Sequence, residues 1–118
     1  QETANWKIDE AAEVTADIFI EHPAIKGVFA ANDMMALGVI NYLNETGRDD
    51  VLVAGFDALK EAETAIVEGQ LEVTIDQQAD EQGYLGVLYA IRALQGENLP
   101  AETFINTIVV TEENVQSR

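Results

Sequence analysis

The 118 residues carry 22 acidic and 6 basic side chains, for a formal charge of −16, and 47 % of them are hydrophobic. That is enough chain and enough apolar content for one compact domain but not two, and it excludes a disordered segment. The acidic balance excludes nucleic acid as a partner of this segment, and the absence of cysteine excludes disulfides, thiolate metal sites and cysteine nucleophiles.

The chain opens at Gln1 rather than Met, as a processed or excised piece of a longer polypeptide would. No signal peptide stands at its start. No apolar run approaches the roughly 20 residues that span a bilayer. Ile8, Ala12, Thr15 and Phe19, flanked by Ala11 and Ile18, form the stripe of a first helix that ends before Pro23. His22, the single histidine, falls at the end of that helix, where it suits the dipole. One histidine does not build a zinc site or a Ser-His-Asp triad. The run Gly27-Val28-Phe29-Ala30-Ala31 is expected as a strand buried on both faces.

Asn32-Asp33 then supplies an N-cap for a helix over 34–45, which Gly47 ends. Residues 51–56 read as a second buried strand, and 60–68 as a short helix closed by Gly69. A third strand over 71–75 is less continuously apolar. A long helix follows over 80–95, with Gly83, Val87, Ala90, Ile91 and Leu94 as its core-facing stripe. Leu99-Pro100 marks a turn, and 104–110 a last strand. The alternation of helix and strand with short connections predicts an α/β class with a largely parallel sheet. The acids, spread along the helices as Glu10, Glu13, Asp17, Glu21, Glu61, Glu63 and Glu68, read as solvated faces.

In an open parallel sheet, ligands bind beyond the carboxyl ends of the strands. Three strand ends here carry polar residues in matching places: Asn32-Asp33, Asp57 and Asp76-Gln77. The set holds amides and carboxylates, with no nucleophile and no base that titrates near neutrality, so no catalytic residue is assigned. It suits polyol recognition, because an amide both donates and accepts, and a carboxylate accepts from two adjacent hydroxyls. Phe56 adds an apolar surface for the C–H side of a ring. A competing reading is local: Asn32 or Asp33 caps the helix that follows, Asp57 starts the next one, and Phe56 belongs to the core.

The segment Val28-Phe29-Ala30-Ala31-Asn32-Asp33-Met34-Met35-Ala36-Leu37-Gly38 resembles the "FAxNDxMAxG" of periplasmic sugar-binding proteins of the ribose-binding type. Val53-Ala54-Gly55-Phe56-Asp57 resembles their "VxGFD", and residues 69–77 are similar to their "GxLxATxxQ" strand. Residues 108–115 are similar to the common "VTxENV" ending, and Ala4, Asn5 and Trp6 fit the turn before the family's corresponding helix. The resemblance runs over the whole chain with order and spacing kept.

It implies a three-layer αβα fold and a two-lobed receptor that closes on a sugar and delivers it to the permease subunits of an ABC importer. The setting would be periplasmic or extracellular, as a membrane-associated lipoprotein if the source is Gram-positive. The family's contacting Asn, Asp and Gln fall on Asn32, Asp57 and Gln77, with Phe56 as an apolar contact, while Asp33 and Asp76 serve the turns. Residues 1–77 would be a C-lobe segment, 78–103 a helix belonging with the other lobe, and 104–118 the terminal strand and tail. The hinge crossings would lie near 74–77 and 103–106. The family's N-terminal lobe, its stacking aromatics and its binding arginine have no counterpart in these residues. No cofactor, metal or enzymatic activity is implied, and self-association of the isolated chain is expected. Two alternatives stand beside this reading, the first of them with the same fold. One is the effector domain of a lactose-repressor-type regulator, whose DNA-binding motif would lie upstream. The other is a small flavodoxin-like enzyme or receiver domain, for which neither a strand-end lysine nor a nucleophile is present.

Overall fold

The computed structural model describes residues 1–118 as an alternation of α1 (Ile8–Glu21), β1 (Gly27–Phe29), α2 (Asp33–Thr46), β2 (Leu52–Ala54), α3 (Lys60–Val67), β3 (Thr74–Asp76), α4 (Ala79–Leu94) and β4 (Ile108–Val110), closed by a 3₁₀ turn at Val115–Ser117. α1 buries Thr15 and Phe19, as expected, and with them the flanking Ala11 in place of Ala12. It packs along α2, and Gly38 is what lets the two backbones approach: a Cβ there would lie 2.2 Å from the Ile8 carbonyl oxygen. α2 ends at Gly47, whose φ of 66° is the left-handed conformation that glycine adopts freely.

β1 and β2 pair in parallel, with Val28 opposite Val53 and Phe29 opposite Ala54. The ladder continues into the next strand through a parallel bridge from Ala54 to Val73. β3 then pairs antiparallel with β4, Thr74 opposite Val110. The strands therefore lie in chain order, the first three parallel and the last reversed. β4 begins at Ile108 rather than at the expected Phe104, which is fully solvent-exposed and outside the ladder.

Because successive strand residues point to opposite faces, one face carries Ala30, Val53 and Val110 into the core. There they meet Phe19 of α1, Val39, Ile40 and Leu43 of α2, and Ala62, Ala65 and Ile66 of α3. The other face carries Phe29, which is 68 % exposed, and Leu52, which is 60 % exposed. The expectation that these strands are buried on both faces thus holds for one face. α1, α2 and α3 all pack on the same side, and no helix of this chain covers the other.

α4 also departs from expectation. The stripe predicted to face a core is uncovered: Val87 is 64 % and Leu94 90 % exposed, and α4 has no buried residue. The helix stands away from the sheet and returns through residues 96–107, tied only by bonds such as Thr103 Oγ1 to Tyr89 Oη at 3.0 Å. The radius of gyration is accordingly 17.8 Å, where a compact chain of this length would have about 13–14 Å.

Candidate functional site

The parallel ladder runs on beyond the last residue of each strand. The Asp33 N–H donates to the Phe56 carbonyl at 2.8 Å, and the Asp57 N–H donates to the Ile75 carbonyl at 2.9 Å. This register sets Asn32, Asp57 and Gln77 at the carboxyl ends of three neighbouring strands, as the sequence predicts for a ligand rim. Gln77 Nε2 donates to Asp57 Oδ1 at 2.7 Å, so two of the three are in direct contact. Phe56 is half-buried beside them.

Asn32 both joins the rim and caps α2. Its Oδ1 accepts from the Met35 N–H at 2.9 Å, which leaves the amide nitrogen to donate elsewhere. Asp57 does not start the next helix, because α3 begins at Lys60. It lies instead in a turn where Asp57 and Ala58 have φ of 117° and 56°. Residues with a Cβ seldom adopt such angles, which cost on the order of 1–3 kcal/mol and persist only where surrounding contacts impose them.

Asp33, the neighbour of Asn32, is not on the rim. It is completely buried. Its Oδ1 accepts from the Thr74 hydroxyl at 2.7 Å and its Oδ2 from the Leu59 N–H at 2.8 Å. Burial pushes its carboxyl above the usual aspartate range, the bonds from Thr74 and Leu59 oppose that shift, and the charge of Asp57 adds to it. Thr74 and Gly55 were not legible as members of this group. The signals were a hydroxyl in a buried strand position and a glycine inside a strand. A Cβ on Gly55 would meet Asp33 Oδ1 at 2.2 Å, so the glycine makes room for the carboxylate.

Asp76 is turned to other work. It accepts from the Gln78 N–H at 2.6 Å and from Arg118, whose guanidinium also lies 3.3 Å from Glu63 of α3. Burial would raise the Asp76 carboxyl, but Arg118 and the Gln78 N–H outweigh it and hold it below the usual range.

The principal grooves of the surface lie away from the rim. An apolar one of about 470 Å³ runs between α1 and the free edge of β1, lined by Val14, Ile18, Val28, Phe29 and Met35 among others. The shallower one on the uncovered sheet face is lined by Phe29, Leu52, Ala54 and Val73. Neither takes in Asn32, Asp57 or Gln77. The rim is a row of donors and acceptors outside both grooves. No three His, Asp or Glu side chains gather in an arrangement that could hold a metal ion.

A family model described as a periplasmic binding protein domain matches residues 1–98. The ribose import binding protein of Salmonella typhimurium is 34 % identical over 110 residues, 93 % of this chain and 37 % of that one. The D-apiose import binding protein of Paraburkholderia graminis is 33 % identical over 116 residues, 97 % of this chain and 37 % of that one. Among solved structures, an ABC transporter periplasmic solute binding protein from Actinobacillus succinogenes with bound D-allose matches at TM-score 0.94 and 30 % identity, over 99 % of this chain and 42 % of that one. A solute binding protein from Bacillus halodurans with bound myo-inositol matches at TM-score 0.92 and 39 % identity, over 98 % of this chain and 40 % of that one. The chain therefore spans between 37 % and 42 % of the length of these relatives, all of which are described as binding proteins.

Proposed function

This chain belongs to the family of periplasmic binding protein domains, and we propose that it supplies one wall of a sugar site in a receptor that hands its ligand to an ABC importer. The observation that carries the reading is the alignment of Asn32, Asp57 and Gln77 on adjoining strand ends, with Gln77 already bonded to Asp57. In this reading Asp57 accepts from ring hydroxyls through the oxygen that Gln77 leaves free. Asn32 donates through its amide nitrogen, Gln77 contributes its remaining amide positions, and Phe56 lies against the C–H side of the ring. The D-allose and myo-inositol bound to two of the relatives are polyols of the kind these groups would hold.

Residues 1–77 then form part of the C-terminal lobe, 78–103 go with the opposite lobe, and 104–118 return to the first. The way α4 stands clear of its own sheet supports this division. The partners are a small sugar and the permease subunits of the importer, and the place of work is the periplasm or the outer face of the cell. The part this reading gives the chain is binding: the rim's one carboxylate, that of Asp57, would accept hydrogen bonds from hydroxyls. Calorimetry of the full natural chain against a panel of monosaccharides and inositols tests the reading. Saturable binding of at least one of them, lost on Asp57→Ala, is expected. Absence of heat for every member of the panel overturns it.

A further inference from the structure

Asp57 and Ala58 hold left-handed backbone angles that their side chains disfavour. The Asp57 N–H is tied to the Ile75 carbonyl at 2.9 Å, and the bonds to the residues on either side of Asp57 converge from one buried point. The Asp33 N–H donates to the Phe56 carbonyl at 2.8 Å. Asp33 Oδ2 accepts from the Leu59 N–H at 2.8 Å. Asp33 Oδ1 accepts from the Thr74 hydroxyl at 2.7 Å, and that hydroxyl accepts in turn from the Ala58 N–H at 3.2 Å. Residues 56, 58 and 59 are therefore all gripped through their backbones by the pair, and the Asp57 side chain is left to the rim.

We propose that Asp33 and Thr74 are positioning residues that never touch the sugar but fix the Asp57 carboxylate in the place where a sugar meets it. This rests on the reading of Asp57 as a sugar acceptor. A helix-capping aspartate satisfies donors of its own first turn. Asp33 instead directs both oxygens away from α2, one to β3 and one to the residue before α3. The capping of α2 is done by Asn32. The Asp33 carboxylate also makes no ion pair: the charge is met by a hydroxyl and an amide, and Gly55 leaves the space for it. Such a buried, fully bonded polar group specifies one local geometry, because every alternative leaves a donor or acceptor unpaired.

Thr74→Val and Thr74→Ser separate positioning from packing. Valine keeps the shape and removes the hydroxyl, while serine keeps the hydroxyl and removes the methyl. In the sugar-free protein, the side-chain amide resonances of Gln77 report its bond to Asp57, and hydrogen exchange at Ala58 and Leu59 reports the grip on the turn. With Thr74→Val, the Gln77 resonances should move and Ala58 exchange should quicken by roughly tenfold or more, as loss of one buried hydrogen bond implies. In the full natural chain the sugar dissociation constant should rise by a similar factor, and Thr74→Ser should restore all three. If Thr74→Val leaves the Gln77 resonances in place, the clamp is overturned, whatever sugar binds. If they move while the unsubstituted full chain binds no sugar, the clamp stands and the sugar reading falls. If the variants do not fold, exchange in the unsubstituted protein decides: Ala58 and Leu59 amides as fast as exposed loop amides such as Asp49 overturn the proposal.

Discussion

The side-chain amide of Gln77 donates to the carboxylate of Asp57 across 2.7 Å, and so joins the loops that leave two neighbouring strands. The bond orients both groups before any ligand arrives. Asp57 is the single charged acceptor on the rim, since Asp33 is buried and Asp76 is held by Arg118.

The three rim residues should differ in weight. Hydrogen bonds to a charged group are worth about 1.5–3 kcal/mol and neutral ones about 0.5–1.5 kcal/mol. In the full natural chain, Asp57→Ala should weaken sugar binding by roughly ten- to a hundredfold, more than Asn32→Ala or Gln77→Ala. Isothermal titration of the three variants gives the ranking. An unchanged dissociation constant for Asp57→Ala sinks the assignment.

Gly55→Ala should be destabilising far beyond the usual cost of a methyl group. The added Cβ would lie 2.2 Å from Asp33 Oδ1 and 3.3 Å from the Ala36 Cβ, so it must displace a buried carboxylate with two fixed donors. Overpacking of this kind costs about 1–3 kcal/mol. Gly83→Ala is the control, because nothing lies within 4 Å of its Cβ position; in the interior of α4 it should gain about 0.5–1 kcal/mol. Chemical denaturation of both variants checks the pair, and similar shifts in the two would contradict the close approach.

The link from Arg118 to Asp76 should make stability depend on pH in the acid range. The folded state holds the Asp76 carboxyl below its usual value. Its contribution is therefore complete above the ordinary aspartate range, about 3.9, and is lost as pH falls through the lower folded value. Arg118→Ala should lower the melting temperature at pH 7 and at pH 5, and the gap to the unsubstituted protein should close towards pH 3. A gap of constant size across that range would remove the ion pair from the account.

The uncovered surface of α4 should drive self-association of the isolated chain. Tyr84, Val87, Ile91 and Leu94 are all exposed on one helix, and a contiguous apolar surface of this kind finds a partner. Light scattering across a dilution series should show mass rising with concentration, and Val87→Glu with Ile91→Glu should abolish the rise. A monomer at every concentration, with the α4 amides protected from exchange, would count against the idea.

Much of this was legible along the chain. Apolar periodicity placed all four helices within a residue or two of their ends, and the three polar strand ends fell side by side because strands in a parallel ladder end together. The motif around Asn32, the Gly55-Phe56-Asp57 motif and the strand leading to Gln77 pointed to the family that the comparisons identify.

What periodicity could not tell is whether the layer that an apolar face requires is in the same chain. Phe29 and Leu52 read as buried because they are apolar, yet all three packed helices lie on the opposite side of their sheet, and the stripe of α4 has no sheet beneath it. Helix-start chemistry alone did not distinguish Asn32 from Asp33, since both suit that place. The resemblance set Asp33 aside as a turn residue, and the fold shows what it bonds to. Asn32 accepts from a residue three positions away, a contact that local sequence can signal. Asp33 accepts from Leu59 and Thr74, 26 and 41 positions away, and such bonds exist only once three strands are assembled in register.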